Sequence, residues 1–308
     1  LKARYREIRS GNRRNVAGFG SIDAGRAAPT SMTDLDETAR RDALDTAWER
    51  GGLGFLGAFA DTVVNPAANE AVADYVRDRI HSVVDDPEVA ALLTPTQPIG
   101  CKRLCVDTGY FETFNLPHVS LVDISRTGID EITPEGVRVG DEVVEVDDIV
   151  FATGFDAMTG ALARIAITGV GGRPLADAWE AGPVTYLGLG VPGFPNLFMV
   201  TGPGSPSVLT NMVSSIEQHV EWITDCITHL RSEGATRIEA EPDAAHQWVD
   251  YVNTVAGVTL LPSCNSWYLG ANIPGKPRVF MPLPGFGPYV ERCEQVAERG
   301  YEGFAITR

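Results

Sequence analysis

The stretch that decides the fold is LFMVTGPGSP at residues 197–206, which leads into a long segment ending at Leu230. Its first four residues form an uninterrupted apolar run, short enough to be a strand buried on both faces. Two glycines and two prolines then break regular structure and allow a tight turn. Beyond the turn, apolar residues recur every three or four positions, as on one face of a helix. These residues are Leu209, Met212, Val213, Ile216, Val220, Ile223, Ile227 and Leu230.

A strand, a glycine-rich turn and a helix in this order predict a place that binds a nucleotide or a polar ring edge. The reason is that the first N–H groups of the helix are unpaired and its dipole is positive there. Candidate caps for the helix are Ser207, Thr210, and Ser214 with Glu217 three residues later. An ordinary βα corner explains the same pattern, so this stretch alone leaves both interpretations open.

The composition of the chain indicates a globular protein and argues against several kinds of partner. The chain has 308 residues, of which 44% are hydrophobic and 21% charged, which is typical of a globular protein with room for two or three domains. A formal net charge of -16 argues against nucleic acid or an anionic membrane surface as a partner. No apolar run reaches the roughly 20 residues that span a bilayer, and the first residues do not resemble a signal peptide, so we expect a cytoplasmic protein. The chain starts at Leu1 in a basic segment (Lys2, Arg4, Arg6), and we expect it to be a fragment.

Cysteine and histidine usage narrows the chemistry. An odd number of cysteines without a Cys-x-x-Cys pair predicts free thiols in a reducing cytoplasm and no metal site. The five cysteines are Cys101, Cys105, Cys226, Cys264 and Cys293. The five histidines fit no catalytic triad, and His219, His229 and His246 are predicted to be surface or interface residues on helices.

Residues 1–98 are predicted to be mostly helical. One helix should open at the capping box 33–36 and stop at Gly51, another should open at Asn65-Pro66, and a short one at Asp86-Pro87. The letters of a dinucleotide fingerprint occur at 52–57 and at 188–193. We discount both, because a helix precedes the first, and a proline-containing loop and a strand follow the second.

From about residue 100 the pattern becomes that of β-structure. Short strands are predicted at 104–106 and 119–122, and a meander at 129–132, 137–139 and 143–146. A buried strand at 149–152 should end at Thr153-Gly154, the kind of strand end where ligands sit in α/β sheets. Later elements are predicted as a helix at 244–255, a strand at 279–281 and a helix near 290–299.

Five stretches in this order and spacing resemble the type I Baeyer–Villiger monooxygenases, and among them the phenylacetone, steroid and cyclohexanone monooxygenases. They are CKRL at 101–104, FATGFDA at 151–157, the block from YLG at 186–188 through GPGSP at 202–206 to IEQHVEW at 216–222, SWYLGANIPGK at 266–276, and GYEGF at 300–304.

The resemblance implies an α/β fold with two dinucleotide-binding, Rossmann-like domains for FAD and NADPH and a helical insertion. Residues 1–98 would be the insertion, 99–148 the returning half of the NADPH domain, and 149–308 the returning half of the FAD domain. The N-terminal halves of both domains are not in this sequence, and neither is the family's signature segment Phe-x-Gly-x-x-x-His-x-x-x-Trp.

The resemblance also implies the reaction. NADPH reduces the flavin, O2 adds to give a peroxyflavin, and the ketone becomes an ester or lactone. Arg103 falls at the position of the catalytic arginine, where a guanidinium stabilises negative charge without releasing a proton; from the residues alone, a surface salt bridge is the simpler interpretation. Lys102 would bind the 2′-phosphate of NADPH; a solvated lysine is the less favoured alternative. Trp267 would contact NADPH from a mobile loop, or be a core residue.

Two further groups of residues are implied. Thr153, Gly154, Asp156, Asn211 and Met212 would lie beside the flavin. Ser207, Val208, Leu209, Thr210 and Met212 would face the substrate. The alternative for Thr153, Gly154 and Asp156 is that they simply form a turn. The alternative for Met212 is a core position, because it falls on the apolar stripe of its helix. The prolines at 282 and 284 depart from the more regular apolar segment of relatives, which leaves flavin-side packing there open.

Two rivals remain. One is a flavin monooxygenase that oxygenates nitrogen or sulfur. The other is a truncated, inactive chain that binds only a ligand or a partner. The sequence does not identify the ketone or the oligomeric state.

Overall fold

The computed structural model describes residues 4, 30–271, 273–279 and 285–308. Most of the basic N-terminal segment, the end of the strand predicted at 279–281, and the prolines at 282 and 284 therefore lie outside the described residues. Within those ranges no helix combines the length and the apolar character needed to cross a membrane.

The N-terminal helices form where their capping residues predict them. Helix α1 spans Glu37–Arg50 and is capped by Asp36, whose side chain accepts from the Ala39 N–H. Helix α2 spans Pro66–Val83 and is capped by Asn65. Helix α3 spans Pro87–Leu93 and is capped by Asp86. Short 3-10 turns at Met32–Asp34 and Gly52–Gly57 pack with α1 and α2 around a small apolar core.

The predicted meander is confirmed. Strands β1 (Glu131–Ile132), β2 (Gly136–Val139) and β3 (Glu142–Glu145) form one antiparallel sheet in the order β1-β2-β3. Val137 pairs with Ile132 on one side and with Val144 on the other. The tight turns of this meander are local, which is why sequence pattern predicts it well.

Four predicted strands are wrong. The stretches 104–106, 119–122, 149–152 and 197–200 form no strand. Within the described part of the chain, 149–152 lies beside no other strand and is largely exposed, with Val150 90% and Phe151 69% accessible. Met199 is buried, but its N–H donates to the Leu189 carbonyl in a turn and not in a sheet. An apolar run becomes a strand only when another segment pairs with its backbone.

The C-terminal body has the largest core. After two single-turn helices, α4 (Gly160–Ala163) and α5 (Leu175–Ala178), helix α6 spans Met212–Ser232 and helix α7 spans Pro242–Gly257. Helix α8 (Phe286–Glu298) and strands β4 (Arg237–Ala240) and β5 (Phe304–Thr307) complete it. The two strands pair antiparallel. The Trp222 indole N–H donates to the Cys293 carbonyl at 2.9 Å and ties α6 to α8.

Helix α6 differs from its prediction in both its start and its buried face. Its cap is Asn211, whose side chain accepts from the N–H groups of Val213 and Ser214, and Ser207–Leu209 forms a separate 3-10 turn. Much of the predicted apolar stripe is exposed, because α8 packs against a different face of the helix. The exposed stripe residues are Val213, Ile216, Val220 and Ile227. The buried residues of α6 are Ser215, Gln218, His219, Trp222, Cys226 and Leu230.

Candidate functional site

Thr153 and Gly154 lie on an exposed, irregular segment. Gly154 has a φ of 81°, a conformation that favours glycine. Apart from Gly154 and its two chain neighbours, no atom of the described residues lies within 4 Å of the position that a Cβ would take there. The backbone at this point is therefore open to close approach by a ligand.

The side chain of Asp156 is bound to Lys276, 120 residues away. The Lys276 ammonium lies 2.5 Å from Asp156 Oδ1 and donates to the Ala157 carbonyl at 2.8 Å. Gly160 at the start of α4 leaves room for this carboxylate, since an added Cβ would lie 2.5 Å from Asp156 Cγ. The resemblance predicts that Asp156 approaches the flavin through its backbone, but it does not predict this ion pair.

The predicted substrate-side turn touches the same segment. The Ser207 hydroxyl donates to the sulfur of Met158 at 3.7 Å. Both residues have positive φ, 45° for Ser207 and 68° for Met158. Side-chain-bearing residues in this region of φ are strained, and such strain concentrates at functional sites.

Thr210 lies buried at the start of α6, and its hydroxyl has no hydrogen-bond partner among the described residues. A buried hydroxyl without a partner is unfavourable unless another molecule supplies one. Asn211 beside it is exposed, and Met212, Val208 and Leu209 are half-buried. This corner therefore presents the exposed Asn211 and half-buried apolar surface to a bound group, while the Thr210 hydroxyl lies beneath that surface.

Lys102 and Arg103 are both exposed. The residue before them, Cys101, forms a disulfide with Cys264, with Cα atoms 5.4 Å apart. Free thiols at these two positions were therefore a wrong prediction, while Cys105, Cys226 and Cys293 are free. Sequence spacing could not identify the pair, because 163 residues separate the two cysteines.

The disulfide brings Arg103 to the segment that carries Trp267. Burial raises the pKa of the Tyr268 hydroxyl, and the positive charge of Arg103 opposes that rise, so the guanidinium lies within electrostatic reach of Tyr268. Trp267 is half-buried, and its ring centroid is 4.2 Å from that of Tyr268. The disulfide and this electrostatic effect thus link Arg103 to the segment that carries Trp267.

His219 is fully buried, so its predicted surface location is wrong, whereas His246 is exposed as expected and His229 is half-buried. The Thr201 N–H donates to Nδ1 at 2.8 Å, so Nδ1 carries no proton. Nε2–H then donates to the Tyr289 hydroxyl, and that hydroxyl donates to the Leu187 carbonyl, both at 2.8 Å. Burial lowers the pKa of His219 to about 4. The imidazole therefore serves the fold as a neutral hydrogen-bonding group.

No protein-family model matches the chain. Over 100% of its length the chain is 38% identical to a Baeyer–Villiger monooxygenase of Pseudooceanicola batsensis, of which it covers 56%. The solved structure of an oxidised steroid monooxygenase bound to NADP superposes with a TM-score of 0.89 at 47% identity, covering all of this chain and 58% of that one. Along its whole length the chain is similar to the C-terminal portion of Baeyer–Villiger monooxygenases. It spans a little over half the length of these relatives.

The predicted fold class is confirmed, because the chain superposes over all or nearly all of its length on solved monooxygenases, among them a complex with FAD and NADP, and its described part combines helices and sheets. Another relative is phenazine N-monooxygenase of Lysobacter antibioticus, which is 37% identical over 99% of the chain and of which the chain covers 56%.

Proposed function

We propose that the chain forms part of a flavin-dependent monooxygenase that converts a ketone to an ester or lactone with NADPH and O2. The observation that carries this proposal is the exposed guanidinium of Arg103, tethered through Cys101 to the segment that bears Trp267. Its relatives at 36–39% identity, named for their action on acetone, cyclohexanone and cyclopentanone, support the same reaction class.

Two sets of residues fit the two cofactors. The exposed cations of Lys102 and Arg103, with the half-buried ring of Trp267, suit a phosphorylated nucleotide with a flat ring. The open backbone at Gly154 suits the polar edge of a flavin. When bound, NADPH supplies the hydride and FAD supplies the activation of O2.

Each residue of the chain then has a physical task. Arg103 offers a charge that persists at every physiological pH and can stabilise an anion without donating its proton. Lys102 pairs as a point charge with the 2′-phosphate, and Trp267 packs against the nucleotide. Ser207, Val208, Leu209 and Thr210 line the substrate side, with Met212 between the substrate and the flavin. Asn211, Thr153 and Asp156 stand on the flavin side.

We assign the three parts of the chain accordingly. Residues 1–98 form the helical insertion, 99–148 the second half of the NADPH domain and 149–308 the second half of the FAD domain. A cytoplasmic location belongs to the same proposal, as does the absence of nucleic-acid and membrane partners, which the net charge of -16 supports.

The test is Arg103→Ala in the intact enzyme that carries this sequence. The variant should retain the flavin absorbance but lose ester formation by about 10²–10³-fold, the usual effect of removing one donor aimed at a developing anion. Arg126→Ala, which removes an exposed arginine elsewhere, is the matched control. Normal ester formation by Arg103→Ala would remove Arg103 from the mechanism.

N-oxygenation is the second candidate function, because a phenazine N-monooxygenase is among the relatives. Product analysis with a cyclic ketone and with an aromatic N-heterocycle separates the two reactions. An enzyme that oxidises only the heterocycle overturns the ketone assignment. Flavin absorbance tests the rival of an inactive binding chain: an intact protein that purifies colourless supports that rival.

A further inference from the structure

One segment of the chain is fixed to distant parts of the molecule at both of its ends. This Trp267 segment comprises residues 264–271 and 273–276. Cys264 at its start is bonded to Cys101. Lys276 at its end is bound to Asp156 and to the Ala157 carbonyl. Neither contact is local in sequence, so each of them fixes the segment against a different part of the fold.

The disulfide end determines where Arg103 lies. Both cysteines are buried, and the Arg278 guanidinium donates to the Cys264 carbonyl at 2.6 Å. Arg103 is only two residues from Cys101, and its charge acts on the Tyr268 hydroxyl. The bond between Cys101 and Cys264 thus ties the chain next to Arg103 to the segment that carries Trp267 and Tyr268.

The ion-pair end is nearly buried. The Lys276 side chain is 11% exposed and that of Asp156 is 28% exposed. An ammonium removed from water in this way needs a charged partner, and losing the carboxylate leaves it uncompensated. Asp156 is therefore required to keep Lys276, and with it the end of the segment, in place.

Between its ends the segment is ordered by its own hydrogen bonds. The Ser266 hydroxyl accepts from the Tyr268 N–H at 3.2 Å, and the Ser266 carbonyl accepts from the Ala271 N–H at 3.1 Å. Tyr268 and Leu269 are buried, whereas Trp267 remains half-exposed. A short rigid turn held at both ends presents Trp267 in one position.

We propose that two anchors together hold Trp267 beside Arg103, where both contact the nicotinamide nucleotide. Asp156 and Lys276 form one anchor and are positioning residues. The disulfide between Cys101 and Cys264 forms the other anchor, which is redox-controlled. The inference rests on the proposed function for the identity of the nucleotide but not for the anchoring itself. A dithiol such as dithiothreitol opens the disulfide anchor. It gives two electrons and two protons to the two cysteines and closes its own disulfide.

Chymotrypsin, which cleaves after Trp267, Tyr268 and Leu269, tests the anchoring without any cofactor. Cleavage there should accelerate about tenfold or more when either anchor is lost, because proteolysis follows local opening. The variants are Asp156→Asn, Lys276→Met, and the double change Cys101→Ser with Cys264→Ser. Dithiothreitol should accelerate cleavage of the unmodified protein and leave the double serine variant unchanged. This second route needs no mutation, so it remains decisive if a variant fails to fold.

Matched controls are Cys105→Ser, which removes an exposed free thiol, and Asp148→Asn, which removes an exposed carboxylate. Both should be cleaved as slowly as the unmodified protein. If neither dithiothreitol nor the Asp156→Asn substitution changes the rate of cleavage, the proposal that these two contacts anchor the segment is overturned.

Steady-state kinetics of the intact enzyme tests the positioning. Asp156→Asn and Lys276→Met should raise KM for NADPH about tenfold with a smaller change in kcat at saturation, and Lys276→Arg should restore KM. A purely structural role would lower the amount of active enzyme and leave KM unchanged, which would overturn the positioning. Faster cleavage in a protein that oxidises no ketone rejects only the proposed function, because the protease assay does not depend on it.

Discussion

The imidazole of His219 and the hydroxyl of Tyr289 lie 2.8 Å apart in the core and join helix α6 to helix α8. The Thr201 N–H donates to Nδ1 of His219 at 2.8 Å. If the ring were protonated, Nδ1 would carry its own hydrogen, and two N–H donors would then face each other at this distance. The structure therefore depends on a histidine that stays neutral.

Stability should accordingly fall in acid. The pKa of His219 is about 4 in the fold against 6.5 in an unfolded chain, so the unfolded chain binds more protons between these values. The stabilisation is complete above pH 6.5 and is lost as pH falls towards 4, by about 3 kcal/mol in total.

The measurement is urea unfolding between pH 7 and pH 4.5 of the unmodified protein and of His219→Gln, whose amide does not titrate. The variant should show the shallower dependence of unfolding free energy on pH. The exposed His246→Gln controls for loss of a histidine. Parallel curves for the unmodified protein and His219→Gln would contradict the prediction.

Two buried threonines should respond oppositely to replacement by valine. The Thr185 hydroxyl donates to the Pro203 carbonyl at 2.6 Å, so Thr185→Val should lower the free energy of unfolding by about 1–3 kcal/mol. The Thr210 hydroxyl has no partner among the described residues, so Thr210→Val should leave the free energy of unfolding unchanged or raise it. Denaturant titration of both variants measures the two changes in the free energy of unfolding. Equal destabilisation would show that the Thr210 hydroxyl has a hydrogen-bond partner within the fold.

Helix α6 offers a contrast between two neighbouring apolar side chains. Trp222→Ala should lower the free energy of unfolding by about 3–5 kcal/mol, because the indole is buried and hydrogen-bonded to α8. Val220→Ala should change it by less than about 0.5 kcal/mol, because Val220 is exposed. Thermal or urea unfolding of the protein that carries this sequence measures both, and comparable losses would mean that the buried face of α6 is assigned incorrectly.

Lys102 should select the nucleotide. Lys102→Ala should reduce the preference for NADPH over NADH about tenfold or more, the value of one charge-assisted contact with the 2′-phosphate. The ratio of kcat/KM for the two nucleotides in the intact enzyme is the measurement, with Lys102→Arg as the charge-conserving control. A preference that survives Lys102→Ala assigns the 2′-phosphate to another residue.

Elements that depend on neighbouring residues were predictable from the sequence. Asn65 and Asp86 each precede a proline and cap the helices α2 and α3 that follow them. The β-meander was predictable because its turns are short. The apolar runs at 149–152 and 197–200 were not, because strand formation depends on a partner far away in sequence. The apolar stripe of α6 predicted the wrong buried face, because the position of α8 decides which face of α6 is buried.

Part of the candidate site was likewise predictable from the sequence, and part of it was not. Arg103, Lys102 and Trp267 could be named only through family resemblance, since a lone arginine or tryptophan carries no local signal of function. The partners Asp156 and Lys276 lay within stretches already singled out, but their pairing is a property of the folded chain. The disulfide contradicted an expectation built on cysteine count alone.

The bond between Cys101 and Cys264 also has a consequence for the denatured protein. Under oxidising conditions it closes a loop of more than half the polypeptide, which removes chain entropy worth up to about 5 kcal/mol from the unfolded ensemble. A denaturant series without reductant should therefore give a smaller m-value than the same series with dithiothreitol. Even a fully denatured molecule keeps Arg103 and Trp267 within a few residues of one covalent junction, so refolding starts with these two side chains already close together.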